Sequence, residues 1–209
     1  MDLTKIKCVI TDFDKTLYSE ADLSRMDDHY MQFLFENNLL NKTEDAAFVL
    51  RNKYPGFHLL QCVFKLSREN GISDKVLRDW LNNHVYDIYS ENMRIVNAEI
   101  LNKLCKKLPV YVLSDSVEGH LYHYYNEFGY NKSWFAGNIS NEYKTKSMSK
   151  TPYMKKIVKK HNLSNDEVLM VGDSLKSDIE AARKAGIQSF HVLSVDDTEK
   201  LFKELIALS

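Results

Sequence analysis

A doubly wound α/β fold with a mostly parallel sheet and an all-helical insertion is predicted by three features of this chain. They are apolar runs too continuous for one-sided strands, helix-period segments between the later runs, and a long helix-only stretch that interrupts the alternation. Three runs rich in Val, Ile and Leu, at Lys7 to Thr11, Pro109 to Leu113 and Val168 to Val171, read as strands buried on both faces. A fourth, Gln188 to Leu193, closes the set. Helical spacing covers Val117 to Phe128, Pro152 to His161, Asp178 to Ala185 and Thr198 to Ala207.

Punctuation supports these boundaries. Asp115-Ser116-Val117-Glu118 has capping-box spacing, and Gly129 and Gly186 fall where helices end in a left-handed residue. Thr151-Pro152 reads as an N-cap followed by proline in the first turn. From about Tyr18 to Glu91 only helical patterns occur, such as Tyr30, Phe33 and Leu34, then Val76, Trp80 and Leu81. The expected organisation is therefore a discontinuous α/β core, residues 1–17 and 92–209, with a helical insertion at 18–91.

The 209 residues, 44% hydrophobic, suffice for a substantial core plus an insertion. A formal net charge of -1 without a long basic block argues against general nucleic-acid binding, which depends on neutralising many phosphates. Lys155-Lys156 and Lys159-Lys160 read as solvated helix faces. No secretory leader pattern opens the sequence and no run of about 18 apolar residues occurs, so no membrane association is expected. Cys8, Cys62 and Cys105 are odd in number and stand in apolar contexts, which suits reduced thiols in a cytoplasmic protein.

Two acidic pairs carry the chemistry. Asp12 and Asp14 follow the apolar run Cys8-Val9-Ile10-Thr11; Asp173 and Asp178 follow Val168-Leu169-Met170-Val171-Gly172. Neighbouring parallel strands would bring all four together, and four carboxylates repel unless some are protonated or a cation sits among them. Magnesium is the expected cation.

The pattern Asp12-Phe13-Asp14-Lys15-Thr16 and the later Gly172-Asp173 with Asp178 resemble the two signatures of the haloacid dehalogenase (HAD) superfamily, in the expected order. Val110-Tyr111-Val112-Leu113-Ser114 is similar to the family's strand ending in Ser or Thr. The resemblance covers the whole chain and implies a Rossmann-like core with a helical cap of the first type. It further implies an aspartyl-phosphate mechanism, with Asp12 as nucleophile and Asp14 as general acid, then base. Ser114 would bond a phosphoryl oxygen, and Asp115 stands beside it among the phosphate-side residues, although its spacing suits capping better. The metal set would be Asp12, the Asp14 carbonyl and Asp173, with Asp178 orienting waters or the lysine. That lysine is expected at Lys150, just before a helix, with Lys146 the alternative, since the family usually shows Lys-Pro and this loop does not. Lys15 stands where the family more often has Gly or Asn.

The resulting expectation is a Mg²⁺-dependent phosphomonoesterase acting on a small phosphorylated metabolite. A phosphomutase of the same superfamily is the nearest rival, followed by a haloacid dehalogenase and a non-catalytic binding protein. His120 and His123, three apart on a predicted helix, lack a Cys or carboxylate partner at zinc spacing and read as packing or surface residues. Tyr30, Phe33, Phe57, Phe64, Trp80 and Tyr86 read as core of the insertion.

Overall fold

The computed structural model describes residues 1–19, 23–55, 57, 59–84, 93–140 and 149–209. The chain divides into two compact units, Met1–Glu20 with Glu91–Ser209, and Ala21–Ser90.

In the first unit the described strands are β1 (Cys8–Thr11), β2 (Val110–Leu113), β3 (Gly137–Ile139), β4 (Val168–Gly172) and β5 (Gln188–His191). All pair in parallel, in the order β3-β2-β1-β4-β5. Every residue of β1, β2 and β4 is buried, as continuous apolar runs require, while the edge strands β3 and β5 are half-buried. The chain builds outward from β1 through β2 to β3, then returns to the other side of β1 as β4. In doubly wound sheets ligands bind at the carboxyl ends of the strands where this order reverses.

Helices of this unit are numbered after the four of the second: α5 (Ala98–Lys107), α6 (Glu118–Glu127), α7 (Thr151–His161), α8 (Glu180–Ala185) and α9 (Val195–Leu208). One sheet face, carrying Cys8, Ile10, Tyr111, Leu113, Val168 and Met170, packs against Met154 and Ile157 of α7 and the alanines of α8. Val9, Val110, Val112, Leu169 and Val171 alternate with these and are buried as well, so the opposite face is also covered. α5 packs on α9 with Leu101, Leu104, Leu201, Phe202 and Leu205 inside.

The second unit comprises α1 (Leu23–Glu36), α2 (Ala46–Lys53), α3 (Leu59–Glu69) and α4 (Asp74–Asn83), with no strand among its described residues. Ser73 caps α4 by accepting the Val76 N–H. Tyr30, Phe33 and Phe64 lie inside this unit and Trp80 partly so, but Phe57 is 46% exposed and Val76 51%. The apolar face of α4 is Leu77 and Leu81 rather than Val76, because the residue one position on faces the core. Tyr86 lies outside the described residues.

Two elements, β3 and α5, go beyond the sequence reading. β3 is too short to show a period; α5 carries a full signal, with Asn97 accepting the Glu99 and Ile100 N–H groups and Lys106-Lys107 in its last turn. Gly129 and Gly186 do end α6 and α8, at φ 70° and 83°. The Tyr130 N–H reaches the Tyr125 carbonyl at 2.7 Å and the Gly129 N–H that of Asn126, closing a Schellman turn. The two capping readings shift. α6 starts at Glu118 with Val117 at its N-cap and no side-chain cap, so Asp115 does not cap it. In α7 Thr151 is the first helical residue; its hydroxyl donates to the Ala181 carbonyl, and Ser149 accepts the Thr151 N–H.

The chain leaves and re-enters the α/β unit as a short antiparallel pair. Tyr18 bridges Ile95, the Val96 N–H donates to the Leu17 carbonyl at 2.9 Å, and the Ser19 N–H to that of Arg94 at 2.7 Å. Tyr130, buried beside them, donates its hydroxyl to the Val96 carbonyl at 2.7 Å. Tyr130→Phe keeps the ring and strips that donor, so it is expected to cost about 1–2 kcal/mol, read as a lower urea midpoint at unchanged slope. A midpoint equal to wild type would show that the clamp contributes nothing.

Candidate active site

β1 and β4 are hydrogen-bonded neighbours in register, Thr11 opposite Val171. The Asp12 N–H extends the ladder by one bond, to the Val171 carbonyl at 2.8 Å, which fixes Asp12 at the carboxyl end of β1. Asp173 stands directly after β4, its carbonyl held by Nε2–H of His191 from β5 at 2.8 Å. Asp178 returns to the same place by a wide π-type turn over Leu175–Ile179. Ser174 opens this turn by accepting the Ser177 N–H, and its carbonyl takes the N–H groups of Asp178 and Ile179. Ligand oxygens of Asp12, Asp173 and Asp178 lie within 4.8 Å of one another, among the described residues the one such group of three or more acidic, His or Cys side chains.

Gly172 is what lets Asp178 in. A Cβ at this position would fall 2.5 Å from the Asp178 Cγ and nearer still to Oδ2, so any side chain would displace the carboxylate. With that space open, Asp178 is fully buried, its Oδ2 taking the Ser174 N–H at 3.0 Å and its Oδ1 the Lys150 ammonium at 2.6 Å.

Lys150, at the N-cap of α7, is 1% exposed and bridges Asp178 and Asp12, the latter at 2.8 Å. Lys146, the alternative, lies outside the described residues. Among the described residues one ammonium pairs two of the three carboxylates, which leaves the cluster short of positive charge. Burial drives Asp12 well above the ordinary carboxylate range, with Asp178 and Asp14 adding to the effect and Lys150 opposing it. Burial and Asp178 likewise raise Asp173, while Lys15 and Lys150 pull it back. Burial alone would push Lys150 down, yet Asp12, Asp178 and Asp115 together hold it above its usual value.

The Asp14 side chain points elsewhere. It accepts from the Tyr18 hydroxyl at 2.6 Å on Oδ1, and from Ser116 at 2.7 Å and Ser114 at 3.2 Å on Oδ2. Ser114, buried at the end of β2, also accepts the Ser116 N–H at 2.9 Å. Asp12, Asp14, Ser114, Lys150, Asp173 and Asp178 are thus brought to one end of the sheet. Asp115 is half-buried, and its charge is felt at Lys150. Tyr18, Ser116, Ser174 and His191 escaped the sequence reading. A serine two residues beyond Ser114 was a readable signal, whereas the others depend on loop geometry. His120 is buried and His123 stacks edge-on against Tyr124; neither belongs to a metal-ligand group among the described residues.

Removing the cation while leaving both buried carboxylates should be severe. Lys150→Met is expected to lose about 3–5 kcal/mol of stability in chemical denaturation, and a loss under about 1 kcal/mol would mean the carboxylates are neutral or wet. The pH dependence has a definite sign. Asp12 holds its proton more tightly folded than unfolded, so its contribution to stability is full below the ordinary value of 3.8 and is lost as pH rises through the raised folded value. In metal-free buffer, Asp12→Asn should therefore gain on wild type as pH rises from about 4 to 8. Wild type gaining on the variant instead would reverse the assignment.

Residues 149–203 match a family model described as HAD-hyrolase-like. No curated protein matches the sequence at a significant level. Among solved structures, a predicted phosphoglycolate phosphatase of Haemophilus somnus 129PT superposes with a TM-score of 0.61 at 18% identity, over 92% of this chain and 87% of that one. The HAD family enzyme BT-2542 of Bacteroides thetaiotaomicron, as its magnesium complex, gives 0.55 at 20% identity over 95% and 99%. The same enzyme with magnesium and inorganic phosphate gives 0.50 at 19% identity over 89% and 93%.

Proposed function

Starting from a chain that folds as a HAD-like hydrolase, we propose that it is a Mg²⁺-dependent phosphomonoester hydrolase of a small phosphorylated metabolite, working through an aspartyl-phosphate. The observation that carries this reading is the meeting of Asp12, Asp173 and Asp178 at the switch point, with Asp14 and Ser114 beside them. Fold alone would not specify the chemistry, so the reading rests on the constellation of side chains.

The donor set fits magnesium. It is made of hard carboxylate oxygens, Lys150 answers only part of their charge among the described residues, and burial drives Asp12 toward its protonated form. Asp12 and Asp173, with the Asp14 carbonyl, would hold the ion, and Asp178 would hold Lys150. When bound, the ion would keep Asp12 ionised and neutralise charge on the phosphoryl oxygens.

The chain's own groups do the rest. Asp12 attacks phosphorus, Lys150 steadies both its carboxylate and the transferring group, and Ser114 donates to a phosphoryl oxygen. Asp14 gives a proton to the leaving oxygen and later takes one from water. The helical unit, Ala21–Ser90, follows the loop that bears Asp12 and Asp14 along the chain, where the resembled family carries its cap, and this supports a small ester as the substrate. A helix long and apolar enough to cross a membrane is absent among the described residues.

Purified protein is expected to release phosphate from p-nitrophenyl phosphate with Mg²⁺ present, and to lose at least about a thousandfold in rate on Asp12→Asn. Activity that survives either EDTA or this substitution would refute the mechanism.

A further inference from the structure

The Asp14 carboxylate is gripped from two sides by donors of different character. Tyr18 meets Oδ1, whereas the two serine hydroxyls meet Oδ2. Tyr18 has little freedom. It is 3% exposed, its ring lies 5.2 Å from that of Phe13 and 5.4 Å from that of Phe128, and its backbone is bridged to Ile95. Both kinds of hydroxyl can donate or accept, but a packed ring holds its oxygen at one point in space, while a serine oxygen moves with its rotamer.

A carboxylic acid carries its proton on one oxygen, and the other oxygen can only accept. We infer that Tyr18 is a positioning residue: by keeping Oδ1 of Asp14 as an acceptor, it makes Oδ2 the oxygen that gives and takes the proton. This rests on the phosphomonoesterase reading above and adds to it which atom moves the proton and what selects it. In the first half-reaction the bond from Asp12 to phosphorus forms as the ester P–O bond breaks. The Oδ2 proton passes to the leaving oxygen, releasing an alcohol and leaving Asp14 a carboxylate. In the second, a water oxygen bonds to phosphorus, the bond from Asp12 to phosphorus breaks, and the water proton goes to Oδ2. When Oδ2 carries the proton, the Ser114 and Ser116 hydroxyls turn to other partners, while the packed Tyr18 ring keeps its hydroxyl oxygen beside Oδ1.

The test is leaving-group dependence, measured on the full chain with Mg²⁺. p-Nitrophenolate departs without a proton; an alkoxide, as from glycerol 2-phosphate, does not. Tyr18→Phe should slow the first turnover on the alkyl ester about tenfold or more, leave that on p-nitrophenyl phosphate within about twofold, and leave KM unchanged. Added to Asp14→Asn, it should produce no further loss. Ser116→Ala should lose in equal proportion on both esters, and this arm answers the same question where Tyr18→Phe fails to fold. Equal losses for Tyr18→Phe on the two esters, or an alkyl-selective loss in Ser116→Ala, overturns the inference alone. Wild-type protein inert toward both esters takes the phosphatase reading down with it.

Discussion

The carboxyl ends of β1 and β4 are organised around a charge imbalance. Three acidic side chains converge in a place from which water is largely excluded, and one buried ammonium, Lys150, answers two of them. An uncompensated buried charge is among the most destabilising features a fold can carry. The surrounding architecture reads as a set of devices that tolerate it. Gly172 leaves room for Asp178, the wide turn after Ser174 lets Asp178 accept a backbone N–H, and the residue just before α7 supplies the ammonium that reaches both acids. Under the proposed mechanism, the residual deficit is what would draw a cation to the site and tie the ionisation of Asp12 to it.

Much of this was legible because the decisive elements are those that sequence encodes most redundantly. β1, β2 and β4 are buried on both faces, so each is spelled as an unbroken apolar run. Once those runs are parallel neighbours, Asp12 and Asp173 must share an edge. The helix ends at Gly129 and Gly186 were equally plain, since a left-handed residue closes each. β3 was not, because three residues at a sheet edge leave no period to detect. The lysine was half legible: a loop rich in Lys offers several candidates, and the choice rests on which one immediately precedes α7.

What stayed hidden shares a physical cause. Tyr18 and Ser116 reach Asp14 through loop backbone and ring packing, not through spacing along a strand or helix. The capping-box spacing at Asp115 misled for a related reason. In this segment the Ser114 hydroxyl already takes the Ser116 N–H, so the chain turns there and the helix begins only at Glu118. A box opened by Asp115 needs Glu118 as the third helical residue, and here Glu118 is the first.

Lys15 shows the same charge accounting at work in the loop. The chain after Asp14 must turn back on itself, with the Thr16 and Leu17 N–H groups both donating to the Phe13 carbonyl, and this puts Lys15 at φ 58°. A residue with a Cβ holds that conformation at a cost of about 1–2 kcal/mol, which accounts for the Gly or Asn more usual in the family it resembles. Lysine accepts the strain but brings a positive charge that opposes the upward pull on Asp173. Asp173 is the one member of the acidic trio that Lys150 does not directly pair. The departure from the family pattern is thus intelligible as a second cation placed where the buried one falls short, at the expense of backbone ease in the segment that leads out of the site.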